Sequence, residues 1–167
     1  MRDGPVEPDG GSRTQEGIDK YGAEVRPPSG FILIPRYNVE ASAGGGAVVS
    51  DEQVVDRLAF REEWVRHALG VKPQDLALVT TIGDSMEPTL HPGDVVMLDM
   101  SVTQIQNNAL YALQVNGSLL VKRVQRMMDG RVIIRSDNDL YEPETISTDM
   151  ADSIKVVGRI VWAGRKF

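Results

Sequence analysis

Ala109-Leu110-Tyr111-Ala112-Leu113-Gln114-Val115-Asn116-Gly117-Ser118-Leu119-Leu120-Val121-Lys122-Arg123-Val124-Gln125 reads as two apolar runs either side of an Asn-Gly pair. Asn-Gly is a preferred centre for a tight hairpin turn, because both residues tolerate the left-handed torsions that such a turn needs. The pattern repeats a few residues on, where Asp129-Gly130 precedes Val132-Ile133-Ile134-Arg135. Two hairpin signals in tandem predict a three-stranded antiparallel meander over residues 109–135. Outward from it, strand character continues at residues 76–82, 95–99 and 154–162. On the N-terminal side Phe31-Ile32-Leu33-Ile34 is a buried-strand run; Pro35 then marks a break, after which Tyr37, Val39 and Ala41 alternate with polar residues. In residues 60–69, Phe60, Trp64 and Ala68 recur at helical spacing and Gly70 stands where a helix C-terminus would place it. The expectation is a mostly β domain, a small β-rich fold of antiparallel strands with one short helix.

Composition narrows the function. The 167 residues are 41% hydrophobic and only 5% aromatic, enough for one core built on Val, Ile and Leu. With no cysteine, disulfides, thiolate catalysis and cysteine-bound metal are excluded, and a reducing compartment fits. His67 and His91 are the two histidines, too few for a convincing zinc site, so neither a metal nor another cofactor is expected. The formal net charge of -6 gives a field that repels a phosphate backbone, which disfavours direct nucleic-acid binding. The longest apolar runs fall far short of the ~18 residues of a membrane span, and no basic and then apolar leader opens the chain. A cytoplasmic protein with no membrane association is the expectation.

Residues 1–30 contain ten Gly or Pro and almost no large apolar side chains. Such a segment buries too little surface to offset its ordering entropy, so a flexible, disordered N-terminal linker or tail is expected. The organisation that follows is residues 31–50 as a strand and a loop, then residues 51–167 as the main domain. Within the loop, Ala41-Ser42-Ala43-Gly44-Gly45-Gly46 combines small side chains with free backbone torsions. A flexible connector and a protease substrate both suit that composition.

The stretch Gly83-Asp84-Ser85-Met86-Glu87-Pro88-Thr89-Leu90-His91-Pro92-Gly93-Asp94 lies between two predicted strands. Ser85 is there either an ordinary turn serine or a hydroxyl presented to a groove. Lys122 shares a strand face with Leu120 and Val124. Either it snorkels its ammonium to water, or burial drives its pKa from about 10.4 toward neutrality and makes it a proton acceptor. The two residues reinforce each other, since a nucleophilic serine needs a base and His91, in a Pro-Gly turn, is expected to face solvent. A serine-lysine dyad is a recognised variant of the serine-histidine theme.

Together with Pro92-Gly93-Asp94, the Ser-Met stretch resembles the signature of LexA-like and lambda-type phage repressors. Lys122 follows Ser85 by 37 residues (122 minus 85), in an apolar strand just after an Asn-Gly hairpin. Ser136-Asp137-Asn138 with Tyr141, and the closing Val157-Gly158-Arg159-Ile160-Val161-Trp162, extend the similarity over about residues 31–167. The resemblance implies a LexA/signal-peptidase-like β fold and a C-terminal peptidase domain that dimerises and cuts its own chain, with Ser85 as nucleophile and Lys122 as general base. Backbone N–H groups of Asp84 and Ser85 are the expected oxyanion donors. It further implies a cut at an Ala-Gly bond before the serine, and Ala43-Gly44 is the Ala-Gly pair on that side.

From the same resemblance come a homodimer and a RecA-nucleoprotein filament as activator after DNA damage. No helix-turn-helix is recognisable before Phe31, so DNA contact is expected only through an N-terminal helix-turn-helix domain outside this chain. Three rival readings remain. One is a non-cleaving dimerisation and regulatory module of a prophage repressor, and another a UmuD-like accessory subunit of a DNA-damage polymerase. The third, a signal peptidase, shares the Ser-Met box and lysine base but normally has a membrane anchor.

Overall fold

Asn116 (φ 50) and Gly117 (φ 81) both take left-handed torsions in the computed structural model of the protein. They close the two-residue turn that the sequence asks for. Residues 17–18, 24–38, 54–151 and 153–167 are described. Around the turn, β7 (Ala109–Val115) pairs antiparallel with β8 (Ser118–Arg126), and β8 with β9 (Val132–Arg135). The expected meander is therefore present. Its second turn is wider than a two-residue hairpin: Met127 N–H bonds Arg131 O at 2.8 Å, Gly130 N–H bonds Met127 O at 3.0 Å, and of the Asp129-Gly130 pair only Gly130 is left-handed. The cause is local, since the Asp129 carboxylate accepts both the backbone N–H and Nε of Arg131.

These strands belong to a nine-stranded sheet. The other members are β3 (Phe31–Tyr37), β4 (Val54–Arg61), β5 (Leu76–Thr80), β6 (Val95–Asp99), β10 (Glu144–Ile146) and β11 (Lys155–Gly164). The order is β10-β9-β8-β7-β11-β6-β5-β3-β4, antiparallel except where β3 runs beside β5. A separate two-residue ladder joins β1 (Gly17–Ile18) to β2 (Glu24–Val25). The linker reading of residues 1–30 otherwise falls largely outside the described residues. Strand β11 serves both halves of the sheet, pairing β7 with its first residues and β6 with its last, with register shifts at 156–158 and 160–162. Gly158 permits that crossing, because a Cβ there would lie 2.8 Å from the Asp99 carbonyl oxygen.

Two expectations are corrected. Pro35 does not break the first strand: β3 runs through it, opposite Arg57 of β4. Pairing with β5 begins only at Arg36, so at Pro35 the strand has a neighbour on one side and the missing N–H costs no second ladder bond. The helix expected over 60–69 is shorter, because residues up to Arg61 are in β4. Only α1 (Glu62–Trp64) and a wider π turn (Val65–Leu69) follow, ended by left-handed Gly70. Phe60 and Trp64 owe their spacing to an aromatic cluster, stacked at 6.0 Å with Trp162 edge-on to Phe60 at 5.5 Å. A second single-turn helix, α2 (Thr148–Ala151), has no counterpart in the expectation.

Among the described residues the buried apolar side chains fall in three clusters. The first is the one that matters for the site: Val79, Val96, Leu98 and Ala112 from the sheet pack with Tyr37 at the end of β3 and with Met86 and Leu90 from the connection between β5 and β6. Burying a Met or Leu contributes about 1.5–3 kcal/mol, so two such anchors hold the connection onto the sheet.

Candidate active site

The connection from Thr81 to Asp94 is fastened at its neck. Thr81 N–H bonds Asp94 O at 2.8 Å, Gly93 N–H returns to Thr81 O at 2.9 Å, and the Thr81 hydroxyl donates to His91 O at 2.6 Å. Asp94, 3% exposed, takes Arg165 Nε on one oxygen at 2.8 Å and Nη2 on the other at 2.7 Å. The Arg165 guanidinium, aided by the His91 backbone N–H, holds the Asp94 carboxyl down at about 2 against the opposing effect of burial. Inside the ring, Glu87 N–H bonds Asp84 O and Leu90 N–H bonds Met86 O. His91 is not a lone base: its Nδ1 lies 3.1 Å from Glu87 Oε1 on the same turn. Half-buried Ser85 sits in the middle of this ring.

Beside Ser85 is a groove walled by Val79–Gly83 on one side and by Leu119, Leu120 and Val121 of β8 on the other. Two residues beyond Leu120, Lys122 is paired across the ladder with fully buried Tyr111. Burial pulls the Lys122 pKa down. Its amine donates to Ser136 Oγ at 2.7 Å and lies 5.5 Å from the Tyr141 ring centroid. Val124 is buried, as strand periodicity requires, but Leu120 is 39% exposed, so it faces the groove rather than sealing the lysine from water.

Residues 136–141 link the two candidate groups. Ser136 takes the lysine. Asp137 takes Arg123 through two bonds of 2.6 Å and also bonds the Thr89 side chain, and Arg123 foremost holds that carboxyl below its ordinary value. Asn138 reaches the serine turn twice, from its N–H to Ser85 O at 3.1 Å and from Nδ2 to Asp84 O at 3.2 Å. Tyr141 donates its hydroxyl to Asp84 Oδ1 at 2.6 Å. The serine turn and the lysine strand are thus bound to one short segment. In the sequence Ser136, Asp137, Asn138 and Tyr141 stand out only as points of resemblance; their roles as tethers depend on partners 14 to 57 residues away.

This arrangement has a family. Residues 35–161 match the Peptidase S24-like description. The chain belongs to the Peptidase S24-like family. Among curated S24-like relatives, it is 31% identical over 134 residues to the 26 kDa repressor protein of Escherichia phage HK022, covering 78% of this chain and 57% of that protein. It is 29% identical over 161 residues to the HTH-type transcriptional regulator PrtR of Pseudomonas aeruginosa, covering 92% of this chain and 61% of the regulator. To the repressor protein CI of Enterobacteria phage phi80 it is 27% identical over 148 residues, covering 87% of this chain and 61% of that repressor. The S24-like chain thus spans about three fifths of the length of these relatives. These likenesses are to phage repressors and transcriptional regulators. Among the described residues no cluster of three metal-ligating side chains occurs, and no helix is long and apolar enough to cross a membrane. Ala43 and Gly44 lie outside the described residues.

Proposed function

We propose that this chain is the regulatory half of a phage-type repressor, which cuts its own backbone between Ala43 and Gly44 with Ser85 as nucleophile and Lys122 as general base. The observation that carries the reading is the joint tethering of Ser85 and Lys122 to residues 136–141. The ends of the segment that holds the proposed substrate pack beside the serine turn. Tyr37 and Val54, the feet of the segment holding Ala43-Gly44, are register partners, and both pack on the cluster containing Met86 and Leu90. Arg36 at that foot bonds Asp56 through Nε and Nη2 and lies 3.4 Å from the Thr80 hydroxyl, on the wall of the serine groove. Ala43 is six residues past Tyr37, an extended reach of about 20 Å.

The chemistry needs neutral Lys122. Its lone pair accepts the Ser85 proton as Oγ attacks the Ala43 carbonyl, and backbone N–H groups of Asp84 and Ser85 receive the oxyanion. The new ammonium returns the proton to the Gly44 nitrogen as the C–N bond breaks. Water then hydrolyses the acyl-serine. Ser136, by accepting one N–H of the amine, orients the lone pair; it is a positioning residue. Among the described residues the hydrogen-bond partner of the lysine is a hydroxyl and not a carboxylate, which favours the neutral form.

In the parent repressor, cleavage would part a cytoplasmic DNA-binding half from this dimerising half and release the operator. A RecA-nucleoprotein filament formed after DNA damage is the proposed trigger. Incubating the purified chain from pH 6 to pH 10 and weighing the products tests the reaction. The expected result is a break after Ala43 that disappears in Ser85→Ala and Lys122→Ala. An intact mass throughout would favour a non-cleaving regulatory module, and a break that survives Ser85→Ala would rule out this nucleophile. An active filament should accelerate the break at neutral pH; an unchanged rate removes that partner.

A further inference from the structure

Arg165 lies 71 residues from Asp94, beyond the last strand and outside every motif that points to the active site. Yet it reaches the neck of the serine turn with two bonds, one to each oxygen of the Asp94 side chain. The Asp94 carboxylate is buried, and the only cation bonded to it is this one, among the described residues. Asp94 also caps the His91 N–H with Oδ2 at 2.9 Å, while its carbonyl oxygen takes the N–H of Thr81 at 2.8 Å and the Thr81 hydroxyl at 3.1 Å. Removing the guanidinium would leave a buried anion whose remaining partner is a backbone N–H. Relief would come through water entering the neck, and the residues that must move are those holding Ser85.

The placement of Arg165 is itself prepared. Strand β11 ends on Gly164, where a Cβ would collide with the Trp162 ring at 2.4 Å. The chain thus passes tightly against Trp162, which sits edge-on to Phe60 and Trp64. The aromatic cluster fixes the exit of β11, and the exit aims the arginine at Asp94.

We infer that Arg165 is a positioning residue for the nucleophile, acting through Asp94 to hold the turn of residues 81–94 in the geometry that presents Ser85. The inference rests on the self-cleavage reading and adds a residue to it. A planar fork is required, because each carboxylate oxygen takes a separate N–H; a lysine offers a single point charge. Misplacing a reacting atom by about 1 Å can cost 10²-fold, so a loosened turn slows cleavage without altering the lysine.

The test compares the parent chain, Arg165→Ala and Arg165→Lys at alkaline pH by first-order cleavage rate. It is paired with hydrogen exchange read separately over residues 81–94 and over the β7–β9 meander. Arg165→Ala is expected to cleave about tenfold or more slowly, with its pH midpoint unmoved, and to exchange faster in residues 81–94 alone. Millimolar guanidinium should restore part of its rate and leave the parent unaffected, an outcome that a general loss of stability would not produce. Arg165→Lys should fall between the two. If Arg165→Ala loses protection in the meander as well, Arg165→Lys carries the comparison. A parent-like rate in the variant that keeps its meander protected, or unchanged exchange over residues 81–94, overturns the inference. A parent chain that never cleaves defeats the reading of function instead, and the exchange over 81–94 then still decides whether Arg165 holds the turn.

Discussion

Lys122 and Arg123 are neighbours on one strand and point to opposite faces, and the protein treats their charges in opposite ways. Arg123 is held by the Asp137 carboxylate through two short bonds, which raises its pKa further. Lys122 meets a neutral hydroxyl and an aromatic ring, and burial lowers its pKa. Both partners come from consecutive residues, Ser136 and Asp137, so one short segment gives a carboxylate to the arginine and a hydroxyl to the amine that, on the self-cleavage reading, must lose its proton. Arg36 and Arg165 follow the Arg123 pattern, each forked onto an aspartate. Lys122 departs from that pattern in the way a general base requires.

Making Lys122 resemble Arg123 should break the contrast with the largest effect. Ser136→Asp would give the amine an anionic partner, favour its charged form and move the midpoint of the cleavage–pH profile up by about one pH unit or more. At pH 8 the rate should drop about tenfold, read by mass spectrometry of timed samples. Ser136→Ala tests orientation without charge. Loss of one neutral hydrogen bond of about 1 kcal/mol predicts about a fivefold slower cleavage and a nearly unchanged midpoint.

On the Arg123 side the expected consequence is stability. Asp137→Ala removes the acceptor shared by Arg123 and Thr89 and should cost about 1–3 kcal/mol in urea unfolding at neutral pH. The folded pKa of Asp137 lies below its unfolded value, so its contribution is present above the ordinary carboxylate range. It is lost as the pH falls through the folded value. The gap between parent and variant should therefore close on acidification; a gap that stays constant would mean that Asp137 acts by shape and not by charge. The smallest effect belongs to the hairpin: Asn116→Ala places an alanine at positive φ and should cost about 1 kcal/mol while leaving the pH profile alone.

How much of this was legible in the sequence follows the range of the interactions. The meander was readable because Asn116-Gly117 and the alternation around it act within a few residues. The limits of β6, β7 and β9 fall where the apolar runs fall. Ser85 was placed on a turn between strands and Lys122 within a strand, and both stand there. Strand β4 was missed although Leu58 and Phe60 alternate correctly, since Phe60, Trp64 and Ala68 also satisfy a helical period and only the packing with Trp162 decides between them. Pro35 misled for a related reason: whether proline breaks a strand depends on which side of it is paired. The tethers of the site, Ser136 to Lys122 and Arg165 to Asp94, join residues 14 and 71 positions apart, and no local period encodes such partners.

The most direct test of the central claim is the rate of self-cleavage against pH for the parent chain and Lys122→Ala. Titration of a half-buried lysine that bonds a hydroxyl rather than a carboxylate predicts a rate that climbs to a plateau with a midpoint below the ordinary lysine value of about 10.4, a product ending at Ala43, and no cleavage in the variant. A pH-independent rate, or a Lys122→Ala chain that still cuts itself, would contradict it.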